Sequence, residues 1–485
     1  MFLKRALATL LLLNLLFSNV LSQQNFDSIL DWPVTIFSDI YTTAGTNQLN
    51  FMTDFQINHE HNIFYSTLKY NDIYREKRNN GIKRNVGYLQ QQTVLQFPVR
   101  IKNYTFELGA YFNYHNKFID YDVIENQTYK IKNQSTDYAF SIQAPILYSF
   151  YLFGRLGTKN INSENYYSWQ AGLKYVFWNM FMISYLHSDD YFQVDYSIQF
   201  DDSDLYFVYP QHYRIDQINF EYRILKNLNI GASMYFSTLE KNSDPKNEKT
   251  TFLPVGNEYN NKFYSNFIYK SFSFGFSYFN RELNFQGHFY EQKQTFGKIT
   301  VLKEYSEIYK PQIKYEWYSN IFTVFVSWGN GLFNLRGHVE SWPFTPTWID
   351  LLGLRYNFKS DLDYDFKRFG FEYLFDKSAW YFKSVLCFER FYPAGETRTW
   401  EPAFLVFGVK NLKIYDLPLI RQDGLYVSFT ISKQIYGDLN VSYNFSQYVP
   451  LKVKKVSSAE TETAVKQSAS VYGGGKHVIN LSVNF

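Results

Sequence analysis

Apolar and polar residues alternate with a period of two along most of this chain. The clearest apolar run consists of Leu425, Val427, Phe429 and Ile431, and it alternates with Tyr426, Ser428, Thr430 and Ser432. Successive side chains of a β-strand point to opposite sides of a sheet, so this period predicts a strand with one apolar and one polar face. The alternation resumes at 439–446 after a short turn, which predicts a β-hairpin.

The hairpin is the repeating unit of the chain. Eight predicted hairpins turn near residues 101–103, 149, 178–179, 225–227, 270–271, 319–320, 376–377 and 437–438. Longer polar segments, predicted to be loops, connect them at 71–86, 117–135, 238–261, 282–307, 330–347, 390–401 and 450–474. The predicted strands have about nine to eleven residues, enough to span a bilayer at a steep tilt. With further strands at 34–41, 49–57, 63–70 and the C-terminus, we expect about 18 to 22 strands, and an even number.

The last residues form a separate two-faced segment. Its apolar positions are Ile479, Leu481, Val483 and Phe485, and Asn480, Ser482 and Asn484 lie between them. This ending resembles the C-terminal signal strand of bacterial outer-membrane β-barrels, which the barrel-assembly machinery reads. The resemblance implies an all-β fold, a closed antiparallel transmembrane β-barrel with short periplasmic turns and long extracellular loops. It also implies outer-membrane lipid, lipopolysaccharide and the assembly machinery as partners.

Three parts of the chain are expected. Lys4 and Arg5 precede a leucine-rich apolar run that ends with small residues near Ser22, which predicts a cleaved signal peptide over residues 1–22. Residues 23–33 form a short polar lead, and residues 34–485 form the barrel. Export through the inner membrane then places the protein in the outer membrane of the cell.

Composition supports a sheet between lipid and water. Aromatic residues make up 21% of the chain, with 44 Tyr and 48 Phe, and they alternate with small polar residues. A β-sandwich would also alternate, but its outer face would be rich in charge and its strands shorter. Removing the basic residues of the predicted signal peptide lowers the formal net charge from +3 to +1, which argues against nucleic acid as a partner. The single cysteine, Cys387, excludes an internal disulfide framework.

The segment 71–86 is basic. It contains Arg75, Lys77, Arg78, Lys83 and Arg84. This predicted loop could bind lipopolysaccharide phosphates or an anionic solute, and the alternative is an ordinary solvated loop.

A glycine-containing stretch at 327–336 differs from the rest. With the following residues it is similar to a Gly-x-Gly-Leu…Arg…Asp…Gly pattern in uncharacterised large barrels of Bacteroidota-like bacteria. We expect a loop that folds inward and narrows the pore, with Arg336, Asp350 and Arg355 as the candidate latch. The alternative is an ordinary surface loop.

No catalytic set stands out in the sequence. The stretch from His187 to Asp190 has a faint likeness to the His and acid sites of outer-membrane proteases, but no second Asp–His pair is evident, and a polar strand end is the simpler interpretation. Phosphate-binding glycine loops and zinc spacings are absent from the sequence. We therefore expect no enzyme, metal or cofactor.

Three functions remain open. The first is a passive, porin-like channel for small solutes or an export substrate, with selectivity set by lumen charges. The second is a non-transporting surface barrel, such as an adhesin, a glycan-binding protein or an assembly partner. The third is a barrel-embedded hydrolase. The sequence does not indicate an oligomeric state.

Overall fold

The computed structural model describes residues 48–484 apart from short connecting stretches. The residues outside it are 1–47, 62–63, 78–81, 102–103, 124–126, 148, 162, 179, 200–203, 241–250, 292–293, 340–355, 378, 406–407, 417–418, 437–438, 457–461, 465–474 and 485. The predicted signal peptide, polar lead and first strand at 34–41 therefore lie outside the described residues. Among those described, no helix is long and apolar enough to cross a membrane.

The described residues form twenty-one β-strands, as the alternation predicts. They are β1 Gln48–His61, β2 Phe64–Lys77, β3 Ile82–Ile101, β4 Tyr104–Val123, β5 Gln127–Leu147, β6 Phe150–Ile161, β7 Glu164–Phe177, β8 Phe181–Gln199, β9 Asp204–Leu225, β10 Leu228–Glu240, β11 Thr251–Tyr269, β12 Phe272–Glu291, β13 Gln294–Trp317, β14 Asn320–Val339, β15 Tyr356–Lys377, β16 Trp380–Leu405, β17 Gly408–Asp416, β18 Leu419–Tyr436, β19 Leu439–Val456, β20 Glu462–Ala464 and β21 Gly475–Asn484. All eight predicted hairpins are confirmed.

Neighbours in sequence are neighbours in the sheet. Each strand from β1 to β16 pairs antiparallel with the next, and the order continues through β18, β19 and β21. Among the described residues, β17 pairs with residues 398–405 of β16, and β20 pairs with three residues of β19. Nineteen strands thus follow one another side by side. Strand β21 also pairs with β1, in parallel, from Leu49 opposite Gly475 to Asn58 opposite Asn484.

The sheet has two distinct faces, well seen on β14. Val324, Val326 and Trp328 are 40%, 42% and 41% exposed, whereas Phe325 and Ser327 between them are 4% and 0% exposed. We call the first side the outer face and the second the inner face. The same division follows the register from strand to strand, because directly paired residues lie on the same side of a sheet.

Exposed apolar side chains on the outer face lie close to the tight turns. This apolar belt includes Phe140, Leu152, Leu173, Ile183, Ile218, Phe236, Phe267, Phe274, Ile313, Val326, Phe369, Phe388 and Ile431. Exposed aromatic residues border it at the turns, namely Trp178, Tyr269, Tyr318 and Trp380. On the far side of the belt, Trp328 stacks on Tyr309 with ring centroids 5.8 Å apart.

The strands are longer than predicted. Strand β9 has 22 residues, β13 has 24 and β16 has 26, instead of nine to eleven. Past the belt the outer residues become polar, but backbone pairing continues because it does not require apolar side chains. Segments 117–135 and 282–307, predicted as loops, are therefore largely the paired ends of β4 with β5 and of β12 with β13. The described residues contain an odd number of strands, and the predicted strand at 34–41 lies outside them, so the even number stays a prediction.

Inner aromatic rings lie over glycines of the neighbouring strand. In the register of β14 and β15, Gly329 is opposite Phe366, Gly331 opposite Tyr364 and Gly337 opposite Phe358. A Cβ atom built on any of these glycines would come within 3 Å of the opposing ring. The glycines of this stretch thus allow close approach of large side chains, rather than forming the predicted inward loop.

We expect Gly370→Ala to destabilise the protein. An added Cβ would lie 2.0 Å from the ring of Phe325, which is 4% exposed and has little space to move. Overpacking of this kind costs about 1–3 kcal/mol, visible as a lower urea midpoint of the protein refolded into lipid vesicles.

The matched control is Gly154→Ala. Its Cβ would meet only Ile142 Cγ2, at 3.5 Å, which is an ordinary contact. Equal midpoints for the two variants would contradict this packing.

Candidate functional site

Buried ion pairs lie on the inner face. Arg281 on β12 contacts Glu258 on β11 at 3.0 Å and Glu304 on β13 at 3.6 Å. Arg368 on β15 donates from Nε to Glu389 on β16 at 2.6 Å, with side chains 0% and 5% exposed. Each pair joins neighbouring strands. Each buried charge lies beside an opposite charge, which compensates for the contact with water that it has lost.

Two further pairs lie at a similar distance from the turns. Arg155 donates to Asp137 at 2.8 Å, and Lys159 donates to Asp190 at 2.8 Å. We call the nine residues the ionic collar: Asp137, Arg155, Lys159, Asp190, Glu258, Arg281, Glu304, Arg368 and Glu389. Near Arg368, a buried apolar cluster includes Ile308, Phe366 and Phe391, at 3%, 1% and 0% exposure, and the Arg368 guanidinium lies 4.9 Å from the Phe366 ring. The inner face is thus closely packed in this part of the collar.

Nearer the turns the inner face is polar and more open. Lys314 and Glu316 pair at 2.5 Å with side chains 35% and 54% exposed, and Lys383 and Glu372 pair at 3.5 Å with 23% and 28% exposure. These residues lie at the height of the apolar belt, on the opposite side of the sheet. These four ionic side chains thus lie on the polar face of their strands.

The structure places Arg336 in a strand rather than in the predicted pore loop. This residue lies in β14, on the outer face, with its side chain 55% exposed and paired to Asp361 at 3.3 Å. Residues 327–336 are strand, and Arg336 shares its side of the sheet with Trp328. The other proposed members, Asp350 and Arg355, lie outside the described residues.

The basic segment is mostly strand rather than loop. Arg75 and Lys77 belong to β2, and Lys83 and Arg84 belong to β3, with Arg75 opposite Arg84. Arg78 lies outside the described residues.

The final strand matches the sequence pattern. Ile479, Leu481 and Val483 lie in β21, and Phe485 follows the last described residue. Ile479 is 40% exposed and Val478 is 8% exposed, so the alternation of faces holds here too.

The structure contains the second His–Asp pair that the sequence does not reveal. His187 Nδ1 lies 2.8 Å from Asp216, and His212 Nε2 lies 2.7 Å from Asp189. The sequence does show that His187 and Asp189, two positions apart in a strand, share one face. Their partners lie on the neighbouring strand β9, and only the strand register identifies them. All four lie on the outer face, whereas Ser188 is 0% exposed on the inner face and is not placed as a nucleophile for either pair.

Within the described ranges, no group of three or more His, Cys, Asp or Glu side chains is arranged to hold a metal ion. Cys387 is 1% exposed, and burial disfavours the thiolate form that reacts or ligates.

Comparison with known proteins gives structural likeness only. No protein-family profile and no curated protein matches the chain. A loop L8 deletion mutant of OmpT, an outer membrane protein of Vibrio cholerae, is 10% identical with a TM-score of 0.34, covering 76% of this chain and 93% of its own. A bacterial polysaccharide outer membrane secretin is 10% identical with a TM-score of 0.31, covering 63% and 84%. Salmonella typhi OmpF, in complex with daunomycin, is 10% identical with a TM-score of 0.28, covering 72% and 92%.

We expect Glu389→Gln to destabilise the protein strongly. The change removes the carboxylate that faces the fully buried guanidinium of Arg368, which costs about 3–5 kcal/mol. Guanidinium chloride unfolding in detergent measures the loss.

The double variant Arg368→Met/Glu389→Leu is the control. Replacing both charges with apolar groups is expected to restore most of the stability. A double variant as unstable as Glu389→Gln would contradict the assignment of the loss to an uncompensated charge.

Proposed function

We propose that this protein is a β-barrel of the bacterial outer membrane that acts as a narrow passive channel for small solutes. The observation that carries the proposal is a difference between the two faces at the same distance from the tight turns. There the outer face carries the apolar belt, and the inner face carries lysines and glutamates. An outer-membrane barrel needs this arrangement, because its strands have lipid on one side and an aqueous interior on the other.

The belt has the dimensions of a bilayer core. On β13, nine residues separate Tyr318 at the turn from Tyr309, which is roughly 30 Å of strand. A strand tilt of about 40° reduces this to roughly 23 Å, near the apolar band of about 25 Å in outer-membrane barrels. The longer strands then carry the wall beyond the membrane on the side away from the tight turns.

Closure of the barrel is supported by the pairing of β21 with β1. Nineteen strands form an odd number, so a ring in which all other neighbours are antiparallel must contain a parallel pair, and β1 with β21 is parallel. Closure removes the unpaired edges that a bilayer does not tolerate.

The ionic collar supports a narrow channel rather than a wide pore. It contains four basic and five acidic groups, so its charge is nearly balanced, and large side chains pack around it. Selectivity would then depend on the few charges that line the remaining passage. The same packing favours a second candidate, a non-transporting surface barrel whose interior is filled.

The proposal includes the export signal, the assembly partner and the lipid partner that the sequence predicts. A signal peptide over 1–22 would direct export, the strand that contains Ile479, Leu481 and Val483 would bind the barrel-assembly machinery, and lipopolysaccharide would surround the outer half of the belt.

Planar-bilayer recording of the purified full chain tests the proposal. We expect small discrete current steps from the wild type. Lys314→Gln removes a cation from the more open part of the inner face, at the height of the apolar belt, so the reversal potential in a KCl gradient should shift toward cation selectivity.

Arg336→Gln is the matched control, since it makes the same charge change on the outer face and should leave the reversal potential unchanged. Absence of current from correctly folded protein would refute the channel and support the non-transporting barrel. Equal shifts from both variants would show that the inner face does not line the path.

A further inference from the structure

A groove of about 320 Å³ lies on the outer face of β13–β16, beyond the apolar belt. Its outer-face lining consists of Tyr305, Asn330, Leu332, Asp363, Asp365, Tyr392 and Ala394. The groove is separate from the inner face and the collar. Its volume lies in the range of about 300–1,000 Å³ that small-molecule sites occupy.

The strand register gives the groove its shape. Tyr305 is opposite Leu332, which is opposite Asp363, which is opposite Ala394. The next row toward the belt contains Asn330, Asp365 and Tyr392 in order. Short side chains thus form the floor, and one tyrosine stands at each flank, on β13 and on β16.

The tyrosine on β13 is held in place. Its hydroxyl donates to Glu307, which also accepts from Tyr309 at 3.3 Å. Tyr309 in turn stacks on Trp328. On the opposite flank, the hydroxyl of Tyr392 donates to Asp423 at 3.4 Å and its ring lies 5.3 Å from the Arg390 guanidinium. Both rings are therefore positioned before any ligand arrives.

The carboxylates on the floor are available. Among the described residues, Asp363 and Asp365 make no hydrogen bond or ion pair, although ion pairs engage Asp361 and Asp423 on the same face. Asn330 adds an amide that can both donate and accept. The floor thus provides strong acceptors for hydroxyl donors between two aromatic flanks.

We propose that this groove binds a saccharide. Sugar rings present C–H faces that pack on tyrosine rings and hydroxyls that donate to carboxylates, and charge-assisted bonds of this type are strong. Phosphate does not fit, because Asp363, Asp365 and Glu307 would repel it. The saccharide can come from two sources at this height, the sugar portion of an outer-leaflet glycolipid or a soluble glycan.

Calorimetric titration of the full chain in phosphatidylcholine nanodiscs tests the site. The probes are soluble oligosaccharides of hexoses, amino sugars and uronic acids. We expect at least one class to bind, and Tyr305→Ala and Tyr392→Ala each to weaken it about threefold to tenfold, the range for loss of one aromatic contact. Asp363→Ala/Asp365→Ala should remove measurable binding.

Tyr259→Ala is the matched control, because Tyr259 is an outer-face tyrosine on β11, is 37% exposed and lies away from the groove. It should bind like the wild type. Heat-modifiable migration on gels establishes that each variant is folded. Nanodiscs that contain lipopolysaccharide identify the source: weaker binding of the soluble sugar indicates glycolipid competition, and unchanged binding indicates a soluble glycan.

Two results would overturn the proposal. One is that no saccharide binds, or that binding is the same in the tyrosine variants. The other is that spermine or Mg²⁺ binds to the wild type and not to Asp363→Asn/Asp365→Asn, while no saccharide binds, which would make the groove a cation site. These measurements do not involve conductance. The saccharide proposal can therefore be refuted while the channel proposal holds, and the channel proposal can be refuted while saccharide binding holds.

Discussion

Backbone hydrogen bonding in a medium without water is the constraint on which the proposed barrel depends. Every N–H and C=O group at the height of the apolar belt needs a partner within the protein, and each unsatisfied group costs several kcal/mol. A sheet meets this requirement only if its first and last strands are also paired. In the proposed barrel, the pairing of β21 with both β19 and β1 is therefore the feature that would make the other eighteen described strands compatible with a bilayer.

Alternation along the sequence predicts the strands and the tight turns well, because each strand has one apolar and one polar face near its turn. It fails where both faces are polar. Beyond the belt, strands such as β12 and β13 remain paired although their outer residues are polar, and nothing in 282–307 distinguishes a long loop from a pair of protruding strands. The alternation thus marks the apolar belt of each strand rather than the end of the strand.

The glycines of 327–337 show a different limit. Their spacing indicates an unusual backbone environment, but close approach and a flexible loop both favour glycine. Only the register decides between them, by placing Phe366, Tyr364 and Phe358 opposite three of these glycines. Arg336 is then part of a strand, and among the described residues it pairs with Asp361. The His187–Asp216 and His212–Asp189 pairs were hidden for the same reason, since their partners come from adjacent strands whose register is not encoded locally. Residues of the inner collar and of the outer groove likewise come together only through pairing of distant segments.

The central claim is that the sheet closes through β1 and β21, and disulfide trapping tests it most directly. In a Cys387→Ser background, cysteines replace Phe55 and Leu481, which are opposite each other in the parallel pair. Neighbouring strands lie about 4.8 Å apart, within the Cα separation of about 4.4–6.8 Å that a disulfide spans. Cysteines at Phe55 and His477, offset by four residues or roughly 13 Å of strand, form the control. Closure predicts efficient cross-linking of the first pair and little of the second in membrane-inserted protein. Failure of the first pair to cross-link, or equal yields from both, would contradict the account.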